Sequence, residues 1–466
     1  MTISYPLPIR IIFCSSLIFG LTSCTKMETA PSLPAVDREA VAANVNNFSP
    51  FADTVVKAIN IGGKEHQTLS GIVFEEDSLD LNYAIGSSTG IKGSQEPQLF
   101  ESYRSGEVEL SLPIDNGDYA ITFYFAEPED TRVGDRVFDV IVENKTRIDS
   151  LDVRLARDGK VLSSLARTVT DVTVLDGTLN IQLAKKKGTP VMHGLLVRKL
   201  QSNDPRNWQL VWNDEFEGEG KPDPEKWQYD IWPARKVNDE DQTYTDRLKN
   251  ARVSNGVLIL EAHKEQYNGA EYTSARLHNK DLGDFLYGRV DVRARVPHGQ
   301  GTWAAAWMLP SDAFKYASNC EAGEDWQGSS TCDAWPNSGE IDILEHVGYD
   351  MQRLHGTVHN KAYYWRNWEQ RKASFEGIDV DKEFRTYSLE WAPNYIIISY
   401  EGVPYFYYRN EQTGWRAWPF DHPYHVILNL AIGGAWGRAG GPIDESIFPV
   451  QMEVDYVRIY QLAESQ

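Results

Sequence analysis

The chain has 466 residues, enough for two or three domains, and 41% of them are hydrophobic, so sizeable cores are expected. Asp and Glu number 67 against 46 Lys and Arg, which gives a net charge of −21. This charge argues against a nucleic-acid-binding protein, which needs a basic surface. It suits a soluble protein that acts on a neutral or weakly charged polymer.

The chain begins with a predicted targeting sequence. Arg10 precedes an apolar run over 11–21, which is too short to span a bilayer but long enough for a signal peptide. The run ends in Leu-Thr-Ser-Cys at 21–24, which resembles a bacterial lipobox and implies cleavage before Cys24 and a lipid on its thiol. We expect residues 1–23 to be a lipoprotein signal peptide. An ordinary secretory signal is the alternative.

The composition after the signal predicts an anchored rather than an inserted protein. Residues 24–54 are rich in Ala, Pro, Ser and Asn, as in a flexible tether. No later segment is apolar enough to span a membrane, so the lipid would be the anchor. We expect a monomer in the bacterial cell envelope, attached to the outer membrane on its periplasmic or its outer face.

Residues 55–200 are predicted to form a first domain, a small β-sandwich. Strand-like runs cover 107–112, 119–125 and 137–142, and turn signals such as Asp-Asn-Gly at 115–117 separate them. Four stretches resemble the malectin-like carbohydrate-binding domain, which implies a glycan-binding module. They are Ala-Ile-Asn-Ile-Gly-Gly at 58–63, Asn-Gly-Asp-Tyr at 116–119, Phe-Tyr-Phe-Ala-Glu at 123–127 and Gly-Asp-Arg-Val-Phe-Asp-Val at 134–140. Tyr83, Phe100 and Tyr103 are candidates for sugar contact or for core.

The second domain is predicted over 207–462 as one large all-β sandwich. All 14 tryptophans lie at or after Trp208, and this asymmetry marks the domain boundary. Residues 287–296 alternate like a strand, and Glu401-Gly402 separates two further strands as a hairpin turn. Since no Trp precedes the second domain, we expect cleavage not to require residues 55–200.

Three acids lie close together in Gly-Glu-Ile-Asp-Ile-Leu-Glu-His at 339–346. On a strand, Glu340 and Asp342 share a face, and one β-bulge brings Glu345 to that face as well. Crowded carboxyls shift one another's pKa values, so that one is ionised and another protonated, which is what glycoside hydrolysis requires. The alternative is a solvated edge strand. Nearby tryptophans favour a cleft that binds sugar rings.

Eight stretches, in the same order, resemble glycoside hydrolase family 16, and within it the laminarinase-like endo-β-1,3-glucanases. The resemblance implies a β-jelly roll and a retaining mechanism, with Glu340 as nucleophile, Asp342 as its helper and Glu345 as general acid/base. The stretches are Val-Trp-Asn-Asp-Glu-Phe at 211–216, Gln-Thr-Tyr-Thr at 242–245, Tyr-Thr-Ser-Ala-Arg at 272–276, Tyr-Gly-Arg at 287–289, Gly-Glu-Ile-Asp-Ile-Leu-Glu at 339–345, His-Gly-Thr-Val-His at 355–359, Asn-Leu-Ala-Ile-Gly-Gly at 429–434 and Val-Asp-Tyr-Val-Arg-Ile-Tyr at 454–460.

The same resemblance implies further site residues and no cofactor for catalysis. Its substrate-binding positions are His359, Trp303, Trp307, Trp436, Arg276, Asn238 and Glu240. It also implies a structural calcium, held by Glu215, the Gly256 carbonyl and Asp455 and completed by water. For His359 a structural role, for Arg276 an ordinary salt bridge and for the calcium residues a hydrogen-bonded turn are the alternatives.

Cys320 and Cys332 form an even pair in a compartment expected to be oxidising. We expect a disulfide that staples residues 311–333, next to the catalytic strand; two buried free thiols are the alternative. The leading hypothesis is therefore a retaining endo-acting hydrolase of β-1,3-glucan. The alternatives are a related hydrolase of mixed-linkage glucan or of a galactan of the agarose or carrageenan type, and a non-catalytic surface glycan-binding lipoprotein.

Overall fold

A computed structural model describes residues 55–79, 83–157, 159–200 and 206–463. The predicted signal peptide, the tether and the lipidation site Cys24 lie outside the described residues. Within the described residues, no helix combines the length and the apolar character needed to cross a bilayer.

Short strands build the first domain, because apolar and polar residues alternate along them. The segment predicted at 137–142 is a strand with these bounds, and every second residue of it is buried. The strands are β1 (Val55–Asn60), β2 (His66–Gln67), β3 (Val73–Glu76), β4 (Ala84–Ser87), β5 (Ser102–Ser105), β6 (Glu109–Pro113), β7 (Gly117–Phe125), β8 (Val137–Val142), β9 (Lys145–Leu151), β10 (Leu165–Val174), β11 (Thr178–Lys187), β12 (Val191–Met192) and β13 (Gly194–Lys199), with 3₁₀ turns at Pro97–Phe100 and Leu155–Arg157.

The second domain is also built from strands, as predicted. The hairpin turn at Glu401-Gly402 is confirmed, since β27 and β28 pair across it. The strands are β14 (Trp208–Asp214), β15 (Gln228–Tyr229), β16 (Gln242–Tyr244), β17 (Ala251–Ser254), β18 (Val257–Tyr267), β19 (Ala270–Ser274), β20 (Arg276–His278), β21 (Gly288–Arg295), β22 (Thr302–Pro310), β23 (Glu340–Val347), β24 (Arg353–His359), β25 (Arg371–Glu376), β26 (Arg385–Ala392), β27 (Tyr395–Tyr400), β28 (Val403–Arg409), β29 (Tyr424–Ile432) and β30 (Val450–Leu462). Short helical turns lie at Ala334–Asn337, Trp365–Asn367, Gly434–Gly437 and Glu445–Ile447.

Two sheets enclose the core of the second domain. One contains the strands in the order β15-β20-β29-β22-β23-β24-β25, and the other runs β16-β19-β18-β30-β21-β26-β27-β28. A single cluster of buried side chains, including Trp391, Phe420 and Ile459, fills the space between them. The first sheet carries the three acids on β23, near its centre. The all-β prediction is confirmed.

The two domains share one continuous sheet. Strand β25 pairs in parallel with β10 of the first domain, where Arg167 lies opposite Ser374 and Thr168 opposite Phe375. The sheet then continues through β7, β13, β1, β3 and β2, which gives thirteen strands in all. The fully buried Arg167 forms an ion pair with Glu376 at this junction.

A hydrophobic cluster also joins the domains. Phe74, Phe100 and Leu196 of the first domain pack with Tyr395 and Ile397 of the second. Phe100 is 2% exposed, so it belongs to this core and does not present a sugar-binding surface. Separating the two domains is therefore unfavourable in free energy, because it would expose this cluster to water.

Candidate active site

A β-bulge brings the three acids to one face of the central sheet. Along the pairing of β23 with β24, Glu340 lies opposite His359 and Asp342 opposite Thr357, but Glu345 lies opposite His355. The register slips between Asp342 and Glu345, and β22 records the same slip on the other side. The bulge that the sequence predicts is confirmed.

Each glutamate of the group receives a hydrogen bond from a tryptophan. The indole nitrogen of Trp335 donates to Glu340 Oε2 at 3.0 Å, and that of Trp303 donates to Glu345 Oε1 at 3.2 Å. His359 Nε2 lies 3.4 Å from Glu340 Oε1 and 3.3 Å from Asp342 Oδ2. These contacts hold the side chains in place while leaving the glutamates partly accessible.

Burial shifts the titration of all three acids, and the charge of Asp342 adds to the shift of the two glutamates. Asp342 is 2% exposed, and burial raises its pKa well above the usual range. Burial, and next the charge of Asp342, raises the pKa of Glu345 to about 8. The same two causes raise the pKa of Glu340. Glu345 is therefore protonated at neutral pH, and Glu340 and Asp342 titrate as a coupled pair.

Two residues that the sequence did not single out support this group. Gln370 donates from its side-chain nitrogen to Thr357 Oγ1 at 3.0 Å and lies 3.3 Å from His359 Nε2. Tyr405 is buried beneath the sheet, and burial and the charges of Glu345 and Asp342 raise its pKa. Gln370 follows a loop, and Tyr405 belongs to the other sheet, so neither has a signal in the local sequence.

Trp303 and Trp436 form one wall beside Glu345. Their ring centroids are 5.5 Å apart and nearly perpendicular, and the His355 ring lies 5.0 Å from Trp436. Asn238 and Glu240 lie next to this wall. A Cβ on Gly434 would meet the Asn238 carbonyl at 3.2 Å and the Trp303 ring at 3.3 Å, which shows how closely these segments pack.

Glu240 is the centre of a buried polar network. Its carboxylate accepts hydrogen bonds from Gln242 at 2.7 Å, Tyr244 at 3.1 Å and Asn238 at 3.2 Å. Burial raises its pKa, and these three donors act in the opposite direction. Because its oxygens are already engaged, the observed contacts assign Glu240 to holding Asn238 and the neighbouring strand in position. Its predicted role in sugar binding stays a prediction.

Arg276 lies at the end of the sheet away from His359. Its guanidinium lies 4.3 Å from the ring centre of Trp232 and 4.7 Å from that of Trp307, and it donates to Asp230 at 2.8 Å. Arg276 also donates to Gln327 at 3.0 Å. The salt bridge that was the alternative is therefore present, and it holds a cation between two aromatic faces.

The segment 311–333 reaches this same end. It supplies Gln327 to Arg276, and Asp325 pairs with Lys236 at 2.6 Å. Cys320 and Cys332 form a disulfide with Cα atoms 5.0 Å apart, which confirms the predicted bridge. The stapled segment therefore covers the Arg276 end of the cleft.

The residues predicted to bind calcium engage arginines instead. Glu215 accepts two hydrogen bonds from Arg458, both at 2.8 Å, and Asp455 pairs with Arg293. Each carboxylate thus has a cationic partner in this structure, and the calcium that the sequence predicts at these residues stays a prediction. A different group, Glu340, Asp342 and His359, brings ligand atoms within 4.8 Å of one another. Those atoms make the contacts of the acid group described above.

Two protein families match separate parts of the chain: the Malectin domain over residues 55–195 and Glycosyl hydrolases family 16 over residues 238–458. A beta-glucanase of Rhodothermus marinus is 45% identical over 57% of this chain and 89% of its own length. The solved laminarinase of Rhodothermus marinus is 44% identical, with a TM-score of 0.50 over 56% of this chain and all of its own. A keratan-sulfate endo-1,4-beta-galactosidase of Sphingobacterium multivorum is 32% identical over 55% of this chain, which spans 56% of that relative.

Proposed function

Because this chain belongs to glycosyl hydrolase family 16, we propose that it is a retaining, endo-acting hydrolase of β-1,3-glucan of the laminarin type. The beta-glucanase and the laminarinase of Rhodothermus marinus support this substrate, and the raised pKa of Glu345 supports the reaction. The observation that carries the proposal is the bulged strand that presents Glu340 and Glu345 on one face. Burial and the charge of Asp342 raise the pKa of Glu345 to about 8, so this acid should hold its proton at neutral pH. A retaining hydrolase requires one ionised and one protonated carboxyl side by side.

The proposed reaction proceeds in two displacements. Glu340 attacks the anomeric carbon, and Glu345 gives its proton to the glycosidic oxygen as the C–O bond breaks. Water then enters, Glu345 removes its proton, and the hydroxyl oxygen displaces Glu340, so the original configuration returns. Asp342 and His359 lie beside Glu340, and any proton that the coupled pair shares must lie on Asp342 at the moment when Glu340 attacks.

The aromatic surfaces explain how a neutral polymer would be held. The C–H faces of sugar rings pack on flat indoles. Trp303 and Trp307 lie on β22, the strand next to the acids, and Trp436 packs against Trp303. We propose that these three residues stack on the chain and that Asn238 and Arg276 orient its hydroxyl groups. The first domain, which matches the Malectin family, is proposed to bind glycan as well.

Reducing-sugar release from a panel of polysaccharides tests the proposal. We expect hydrolysis of laminarin, with oligosaccharide products of several lengths that report endo-cleavage. Activity confined to mixed-linkage glucan, to agarose or to a sulfated galactan would identify that polysaccharide as the substrate instead. Galactans are the second candidate because one relative is a galactosidase. Binding of laminarin without any cleavage would identify a non-catalytic glycan-binding protein.

The pH dependence should reveal the protonated acid. Since the pKa of Glu345 is about 8 in the folded protein, the general acid is present below that pH and is lost as the pH rises through it. We expect kcat/KM for laminarin to fall about tenfold per pH unit above pH 8. Thermal unfolding at each pH provides the control. A constant kcat/KM to pH 10 in a folded protein would contradict the assignment.

Asp342→Asn should slow the enzyme without inactivating it. The amide can still donate a hydrogen bond to Glu340, but it cannot exchange a proton with Glu340. We expect kcat to fall by about 10- to 100-fold, at or below the lower limit of the roughly 10²- to 10⁴-fold that a typical general acid or base contributes, with KM little changed. Steady-state kinetics with laminarin measure both constants. A loss as complete as that of a nucleophile variant would show that Asp342 itself bonds to the substrate.

We propose that a lipid on Cys24 anchors the protein at the outer membrane of a bacterial cell. The lipobox-like sequence at 21–24 supports this location. A monomeric state and a structural calcium stay predictions.

A further inference from the structure

The loop over residues 360–370, called the rim loop here, borders the acid group on the His359 side. It begins directly after His359 and ends at Gln370, whose side chain lies 3.3 Å from His359 Nε2. Both ends of the rim loop are thus fixed beside the catalytic strand. Its middle projects outward, because Trp365 and Trp368 are 41% and 44% exposed.

A row of aromatic rings connects the acids to the rim loop. Trp335 donates to Glu340, and its ring lies 5.7 Å from the ring of Tyr364. The Tyr364 ring lies 6.0 Å from that of Trp365, over which the Arg366 guanidinium packs at 5.2 Å. A polymer leaving the acids on this side would therefore meet a continuous series of aromatic surfaces.

The backbone at Trp368 is held in a costly conformation. Its φ angle is +66°, in the left-handed region that bulky side chains rarely adopt. A hydrogen bond from the Trp368 nitrogen to the Trp365 carbonyl, at 3.0 Å, closes the turn. Strain of this kind persists where surrounding contacts impose it, and it is concentrated at ligand-binding sites.

The first domain supplies some of those contacts. Lys92 pairs with Glu369 at 3.3 Å, and the Gly93 nitrogen donates to the same carboxylate at 3.4 Å. Gln95 donates to Glu411 at 2.7 Å, and Glu411 in turn accepts a hydrogen bond from the Tyr363 hydroxyl. The rim loop thus lies between the acid group and residues 92–95, and both sides hold it.

We propose that the rim loop is an outer sugar-binding subsite, in which Trp365 and Trp368 stack on sugar units of the same glucan chain that is cleaved at Glu340 and Glu345. The subsite rests on the proposed function for the identity of its ligand. Two large exposed indoles suit a neutral sugar chain, because stacking on an apolar surface does not require a charge on the ligand. Since the turn that carries them is held by surrounding contacts, little conformational freedom is lost on binding. Residues 92–95 act as positioning residues for this surface.

The double variant W365A/W368A tests the subsite through chain length. We expect KM for laminarin to rise about tenfold with kcat within about twofold, because the lost contacts bind ground state and transition state alike. The shortest laminari-oligosaccharide that the wild-type enzyme cleaves should keep its KM, since it does not extend to the rim loop. Binding of laminarin to the same double variant in an E340Q background should weaken by the same factor.

Leu210→Ala is the matched control, since it removes an exposed apolar side chain from β14 in the other sheet, where Leu210 is 50% exposed. Its kinetics should equal those of the wild type.

An unchanged KM for laminarin in W365A/W368A would overturn the subsite. An equal loss on long and short substrates would also overturn it, because that result indicates an indirect effect on the acids. A wild-type protein that does not cleave laminarin would refute the proposed substrate instead. The subsite is then tested on the polysaccharide that the panel identifies.

Discussion

Glu340→Gln should lower kcat on laminarin by about 10⁴-fold or more, in line with the removal of other enzymatic nucleophiles. The amide matches the carboxylate in shape but cannot form the glycosyl–enzyme bond, and Trp335 and His359 remain to hold it. Because the change also removes a carboxyl that burial makes costly to ionise, the variant should unfold at the same or a higher temperature than the wild type.

The controls separate chemistry from binding. Laminarin affinity, measured by calorimetry, should be retained in Glu340→Gln, and Glu271→Gln, an exposed acid on β19, should leave kinetics unchanged. In Glu340→Ala, added azide can enter the space of the missing carboxylate and attack from that face, so the product should be an α-glycosyl azide. Native-like turnover by the purified Glu340→Gln protein would refute the nucleophile.

Glu345→Ala should produce a different pattern of loss. Without a proton donor, cleavage of the polymer should slow by about 10²- to 10⁴-fold, the usual contribution of a general acid. Aryl glycosides with a good leaving group need no proton and should still form the glycosyl–enzyme. The alkaline limb of the pH profile near 8 should also disappear, since it belongs to the deleted group.

Azide again provides the decisive product for Glu345→Ala. It attacks the glycosyl–enzyme from the side that water would use, so the product should be a β-glycosyl azide. Opposite azide configurations in Glu340→Ala and Glu345→Ala would establish both roles. An α-glycosyl azide from Glu345→Ala would instead identify Glu345 as the nucleophile and Glu340 as the general acid/base.

The arrangement of the acids on β23 could be predicted from the sequence because it depends only on residues within one short segment. Glu340, Asp342 and Glu345 stand in one short segment, and parity alone requires a bulge to bring them to one face, which β23 contains. The hairpin at Glu401-Gly402 was predictable for the same reason, since turn residues stand between two apolar runs.

Contacts between distant segments were not predictable in this way. Gln370 and Tyr405 reach the acids only through the fold, and the parallel pairing of β10 with β25 joins residues more than two hundred positions apart. The absence of Trp before Trp208 suggested independent modules. That expectation stays untested. Three features argue against it: the shared sheet, the cluster around Phe100 and the contacts of residues 92–95 with the rim loop. Amino-acid composition could not reveal them, since it carries no information about which surfaces of the two domains face each other.

The pairing of β10 with β25 removes two strand edges to which other chains could otherwise add. Unpaired strand edges recruit other chains, and proteins usually cover or interrupt them. Here each domain covers an edge of the other, because Arg167 and Thr168 of β10 pair with Ser374 and Phe375 of β25. A chain cut between the domains, or a nascent chain that has not yet completed the second one, carries an open edge beside exposed Phe and Leu side chains. The pairing at this junction therefore protects both strand edges as well as joining the two domains.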